Sequence, residues 1–239
     1  MTISTRTIAY QHNGTELEAV LAWDHSILEA RPAVMVAPAW AGRDAFAISK
    51  ARALAGLGYI GFALDMYGSG LVGSGPDENA RLMSPFMEDR ALLQGRMIAA
   101  LETVRQQPEV DAGRIAAIGF CFGGLCVLDL ARSGADLNAV VSFHGLFKPP
   151  GNTNANKIKA KVLVLHGYDD LMVTPEQMLG LANELTLAEA DWQIHAYGGT
   201  VHAFTNPVAN DPGFGTVYKE AADRRSWQSM GNFLEEVLK

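Results

Sequence analysis

Only two cysteines, Cys121 and Cys126, occur in 239 residues, too few for a disulfide framework. They stand five positions apart with helical sequence between them, which points the two thiols in different directions. Both are therefore expected reduced, as in a cytoplasmic protein. Long apolar runs are also missing. No stretch approaches the ~20 residues that cross a bilayer, and Met1-Thr2-Ile3-Ser4-Thr5-Arg6 is not followed by the apolar core of a secretory signal. The expected protein is neither membrane-embedded nor secreted. Positive charge is scarce, with 19 Lys and Arg against 26 Asp and Glu and a net charge of -7. That balance leaves no basic footprint for nucleic acid and favours small-molecule partners. No histidine pair has metal-ligand spacing and no cysteine cluster exists, so no metal is expected.

What is present suits a globular protein: 49% hydrophobic and 19% charged residues, without internal repeats or low-complexity tracts. One domain over residues 1–239 is expected, as a monomer or a small homo-oligomer. Thr7 to Tyr10, Asn13-Gly14 and Leu17 to Trp23 read as a β-hairpin with a two-residue turn. Strand 33–37, helix 44–57 ended by Gly58 and strand 59–64 then form a crossover unit with parallel pairing. The Gly- and Pro-rich stretch Tyr67 to Pro76 reads as a loop. A helical pattern from about Glu78 to Gln107 follows, broken or bent at Pro85. Further on come strand 114–118, helix 125–132, strand 139–143, a polar loop from Gly145 to Asn156, strand 162–166, helix 175–188, strand 192–197 and a closing helix 216–238. This alternation predicts an α/β fold whose mostly parallel sheet is flanked by helices.

Gly119-Phe120-Cys121-Phe122-Gly123-Gly124 lies where a strand turns sharply into a helix. Small neighbours at Gly119 and Gly123 let helix and strand approach, and the residue at the apex is forced into a strained backbone. The thiol of Cys121 would project above the sheet edge, beside a helix N-terminus that favours a thiolate. The other reading of Cys121 is a small buried hydrophobe. Cys126, among apolar residues of the helix, reads as core.

In such sheets the chemistry gathers just past the carboxyl ends of the strands. Cys121 follows one strand, Asp170 another in Gly167-Tyr168-Asp169-Asp170, and His202 a third in Tyr197-Gly198-Gly199-Thr200-Val201-His202-Ala203-Phe204. The chain order of nucleophile, acid and histidine is that of the α/β-hydrolase fold. His202 would take the thiol proton and return it to the leaving alkoxide, while Asp170 holds the imidazole by its other nitrogen. Asp170 is preferred to Asp169 because its place in the turn puts it further from the strand. Either aspartate could instead only cap the helix that begins at Pro175. His144, His166 and His195 end or lie within strands and read as structural, and His12 and His25 belong to the hairpin region. For an oxyanion, the N–H of Phe122 supplies one donor. Trp40, in Pro38-Ala39-Trp40-Ala41-Gly42-Arg43-Asp44, is the candidate for the second, or a pocket wall, or a packing residue. Phe204 is a further candidate for the pocket wall.

Taken together, the hexapeptide, the turn from His166 to Asp170 and the segment from Tyr197 to Phe204 resemble the dienelactone hydrolase family, over nearly the whole length and without a large cap domain. The resemblance implies an α/β-hydrolase that cleaves an ester or lactone through a Cys121 acyl-enzyme, with His202 and Asp170 and no cofactor. Two positions depart from the family. Ala39 stands where members carry a glutamate that governs the thiol's protonation, and Asn206 stands where members carry a carboxylate-binding arginine. Arg81 and Arg43 are the remaining partners for a substrate carboxylate, or else solvated surface charges. A neutral ester or a different lactone is the alternative substrate. Two other functions compete with hydrolysis: a weakened hydrolase-fold protein that binds small molecules, motivated by Ala39, and a redox-responsive thiol at Cys121.

Overall fold

The alternating residues at the start of the chain form a hairpin in the computed structural model, which describes residues 2–153 and 156–239. Strands β1 (Ile3–His12) and β2 (Thr15–Asp24) pair antiparallel from Ile3 opposite Asp24 to His12 opposite Thr15. Asn13 and Gly14 both take positive φ, 49° and 75°. A two-residue turn of that kind matches the twist of the strands it joins.

Two compact units divide the chain, Met1–Ile118 and Gly119–Lys239. In the first, β3 (Arg31–Ala37), α1 (Ala45–Gly56), β4 (Ile60–Ala63), α2 (Pro76–Glu88), α3 (Arg90–Arg105) and β5 (Val110–Phe120, its last two residues in the second unit) follow the hairpin. The strand order is β1-β2-β4-β3-β5, with β3 and β4 parallel as the crossover requires and β2 antiparallel to β4. Asp44 caps α1 by accepting from the Ala47 N–H at 3.0 Å. The expected loop after β4 is tied down by the fully buried Asp65, whose carboxylate accepts from the N–H groups of Tyr67, Gly68 and Gly70 at 2.9, 3.0 and 2.8 Å.

The helical pattern after that loop breaks at Asp89, not at Pro85. Pro85 stays inside α2, and its carbonyl accepts the Asp89 N–H at 2.9 Å. Asp89 then caps α3 by accepting from Leu92 N–H at 2.9 Å. The proline removes one donor from α2, whereas the aspartate supplies a cap that starts a new helix, and the cap decides where the chain turns.

The second unit carries α4 (Phe122–Arg132), β6 (Ala139–Phe143), β7 (Lys161–Gly167), α5 (Pro175–Leu187), β8 (Trp192–Tyr197), β9 (Asn210–Asp211), β10 (Thr216–Val217) and α6 (Glu220–Val237). Strands β6, β7 and β8 run parallel in that order. Helix α4 packs on β6, α5 on β8 and α6 on both β6 and β7. Strands β6 and β7 are nearly continuous apolar runs because helices cover them, whereas β8 is only half-buried. Val140, Val141, Leu163 and Leu165 are fully buried, each worth roughly 1.5–3 kcal/mol of transfer free energy. The closing helix starts later than its apolar pattern suggested, since Thr216 and Val217 pair with Asp211 and Asn210 instead. Residues 154 and 155 of the polar loop expected between Gly145 and Asn156 lie outside the described residues. The fold is thus α/β with a mostly parallel sheet flanked by helices. Among the described residues, no helix is long and apolar enough to cross a membrane.

Candidate active site

Cys121 stands between β5 and α4 with φ 55° and ψ -115°, a conformation costing a non-glycine residue about 1–3 kcal/mol. Its surroundings hold it there. The Cys121 N–H donates to Phe143 O at 3.0 Å and to His144 Nδ1 at 3.2 Å, and the Cys121 carbonyl accepts from Gly124 N–H at 2.9 Å. The close approach foreseen for this turn falls on Gly119, where a Cβ would lie 2.0 Å from Gly123 O. A second falls on Gly124, where a Cβ would lie 2.6 Å from Gly145 Cα. Cys121 is partly exposed, and Cys126 is buried in α4.

His202 and Asp170 meet in the same unit. Nδ1 of His202 lies 2.7 Å from Asp170 Oδ2, and both side chains are almost wholly buried. Asp170 keeps its other oxygen on the Met172 N–H at 2.8 Å, which aims the carboxylate. Asp169, the neighbouring candidate, turns away and accepts from Gly199 N–H at 2.6 Å and Thr200 N–H at 3.3 Å, bracing the loop that carries His202. Neither aspartate caps α5. Thr174 does, with its N–H donating to Gln177 Oε1 at 2.9 Å.

Burial acts to strip the proton from His202. The negative charge of Cys121, the hydrogen bond to Asp170 and the interaction with the Cys121 sulfur outweigh it and push the ring from 6.5 up to about 10. Nε2, the nitrogen not used by Asp170, is buried without a geometrically formed hydrogen bond. Hydrogen bonds of catalytic groups are commonly loose without substrate and tighten when it binds.

Two parts of this arrangement were not legible in the sequence. One is the β9–β10 hairpin, which clamps His202 from both sides: its N–H donates to Gly215 O at 3.1 Å and its carbonyl accepts from Val217 N–H at 3.2 Å. Strands of two residues show no periodicity to read. The other is His144, read as structural. It is satisfied, but its partners include the backbone of Cys121 and Thr205 Oγ1 at 2.8 Å.

The remaining candidates stand as follows. Phe122 is the first residue of α4 with its ring fully buried. Phe204 is also fully buried, its ring 5.1 Å from that of His144 and 5.8 Å from that of Tyr197. In the first unit, the Trp40 carbonyl accepts from Tyr67 OH at 2.8 Å. Arg43 is largely buried with Nη2 3.8 Å from Glu18, while Arg81 is 70% exposed and pairs with Glu78 at 3.0 Å. Among the described residues, no group of three or more His, Cys, Asp or Glu could hold a metal ion.

A cavity of about 910 Å³ in the second unit is lined by Phe147, Ile158, Leu181, Leu187 and the Arg132–Glu184 pair, and by none of Cys121, Asp170 or His202. Its buried arginine is satisfied by both oxygens of Glu184 at 2.7 and 2.8 Å and by Phe147 O at 2.9 Å. The three candidate residues therefore lie elsewhere, and chemistry rather than volume marks the candidate site.

A cysteine at a strained strand-to-helix turn, followed in the chain by an aspartate-bound histidine, defines an α/β-hydrolase type of site. Residues 17–238 match the dienelactone hydrolase family, and the chain belongs to it. Among solved structures it is similar to m3DLH, at 39% identity over 99% of each chain with a TM-score of 0.92. It is also similar to a dienelactone hydrolase-like promiscuous phosphotriesterase from metagenomic libraries, at 37% identity over 99% of each chain and the same TM-score of 0.92. A curated relative from Bradyrhizobium sp, named "Probable 2-oxo-3-(5-oxofuran-2-ylidene)propanoate lactonase", is 25% identical over 95% of this chain and 94% of its own.

Proposed function

We propose that this hydrolase cleaves neutral carboxylic esters or lactones through an acyl-enzyme on Cys121. The observation that carries the reading is the contact of His202 Nδ1 with Asp170 at 2.7 Å, which leaves Nε2 of the same ring for the thiol. The thiolate attacks the carbonyl carbon, its proton already held on Nε2 of the His202 imidazolium that Asp170 stabilises. The N–H of Phe122 receives the oxyanion. Collapse breaks the ester bond, and Nε2 protonates the departing alkoxide. Water, deprotonated by the same nitrogen, then cleaves the thioester and frees the acid. No step calls for a cofactor.

A neutral substrate is favoured because Arg81 and Arg43 each face a glutamate, while Asn206 occupies the family's arginine position. Cys121→Ala is expected to lower turnover of a chromogenic ester at least about a thousandfold in a folded protein. Unchanged turnover would reject the mechanism. The 37% identical phosphotriesterase favours a second reading in which the same thiol also attacks phosphotriesters. Cys121→Ala should then remove both activities together.

A further inference from the structure

His144 follows β6 with a positive φ of 37° and is 2% exposed. Both of its ring nitrogens are engaged. Nδ1 lies 3.2 Å from the Cys121 amide nitrogen, which can only donate, so Nδ1 must carry a bare lone pair. The single proton of the neutral ring then sits on Nε2, where Thr205 Oγ1 accepts it at 2.8 Å. The ring also stands edge-on to that of His202, with centroids 5.1 Å apart and planes at 67°. One imidazole thus touches the backbone of one reactive residue and the ring of the other.

We propose that His144 is a positioning residue for the nucleophile, its Nδ1 anchoring the Cys121 amide while Thr205 locks the tautomer that makes Nδ1 an acceptor. The proposal rests on reading Cys121 as the nucleophile. A strained φ persists only where its surroundings over-determine it. Phe143 O and His144 Nδ1, from consecutive residues, share the Cys121 amide proton in a three-centre bond. The second acceptor, rather than the carbonyl alone, fixes how the turn tilts the sulfur toward His202.

Asparagine places Oδ1 as many bonds from its Cα as histidine places Nδ1, and leucine puts a methyl group there. His144→Leu is therefore expected to lower kcat by at least about tenfold with KM within about twofold, and to slow iodoacetamide alkylation of Cys121 in parallel. His144→Asn should stay within about threefold of the parent in both assays, because the acceptor is restored. Equal impairment of the two variants, or of neither, would overturn the proposal. Nitrogen-15 NMR of the histidine-labelled parent should show His144 protonated on Nε2, and protonation on Nδ1 would contradict it. Should His144→Leu fail to fold, Thr205→Val is expected to admit the Nδ1-protonated tautomer and lower kcat several-fold, and no change in either would count against the proposal. Alkylation rates and tautomer are read without ester turnover. A protein that hydrolyses no ester would thus sink the proposed function and leave the role of His144 to be decided separately.

Discussion

Cys121 combines two costs that a fold does not sustain without cause: a positive φ on a residue with a Cβ and a nearly buried histidine held charged beside it. The first is maintained by steric closeness at Gly119. Because a Cβ there would lie 2.0 Å from one backbone oxygen and 2.2 Å from its carbon, no side-chain movement relieves the clash. Gly119→Ala should lower unfolding stability by about 3 kcal/mol or more, read by denaturant melts, and a loss below 1 kcal/mol would mean that α4 shifts freely. The second cost sets a pH signature. The folded pKa of His202 is raised above its unfolded value, so its contribution to stability is complete below about 6.5 and disappears as pH rises through about 10. The stability gap between the parent and His202→Asn should therefore narrow across that window. A constant gap would show that the ring is not held as imidazolium.

At the scale of elements, the positions of the three candidate residues follow from strand ends, and those strand ends were legible in the sequence. Apolar runs mark β5 and β7, β8 is a shorter mixed strand, and beyond their ends stand Cys121, the Asp169-Asp170 pair and His202. The turn before α4 was legible because glycine is the cue for close backbone approach, and Gly124 adds a crowded position that the sequence did not single out. What stayed hidden depends on distant contacts. His144 ends an apolar strand like any core histidine, and only the folded chain brings it to Thr205, 61 residues away. The β9–β10 hairpin is invisible because strands of two residues carry no periodicity, yet its backbone holds His202. Val217→Pro deletes the N–H that the His202 carbonyl accepts and should reduce kcat by about ten- to a hundredfold. Steady-state kinetics with retained β-sheet and helix circular dichroism would check this, and an unchanged kcat would show that the clamp is dispensable.

For the whole molecule, family membership defines the reaction class, and the residues that differ from the family's pattern bear on the substrate. On the proposed function, Arg81 and Arg43, each opposite a glutamate, and a net charge of -7 favour a neutral substrate. Neutral esters are expected to exceed matched carboxylate-bearing esters by at least about tenfold in kcat/KM. A preference for the anionic series would point to an arginine that rearranges on binding. All of this presumes a covalent intermediate, and mass spectrometry of the acid-quenched protein during ester turnover tests that most directly. The expected result is one acyl group on the peptide containing Cys121, absent from Cys121→Ala. Turnover with no adduct on that peptide, undiminished in Cys121→Ala, would contradict the account.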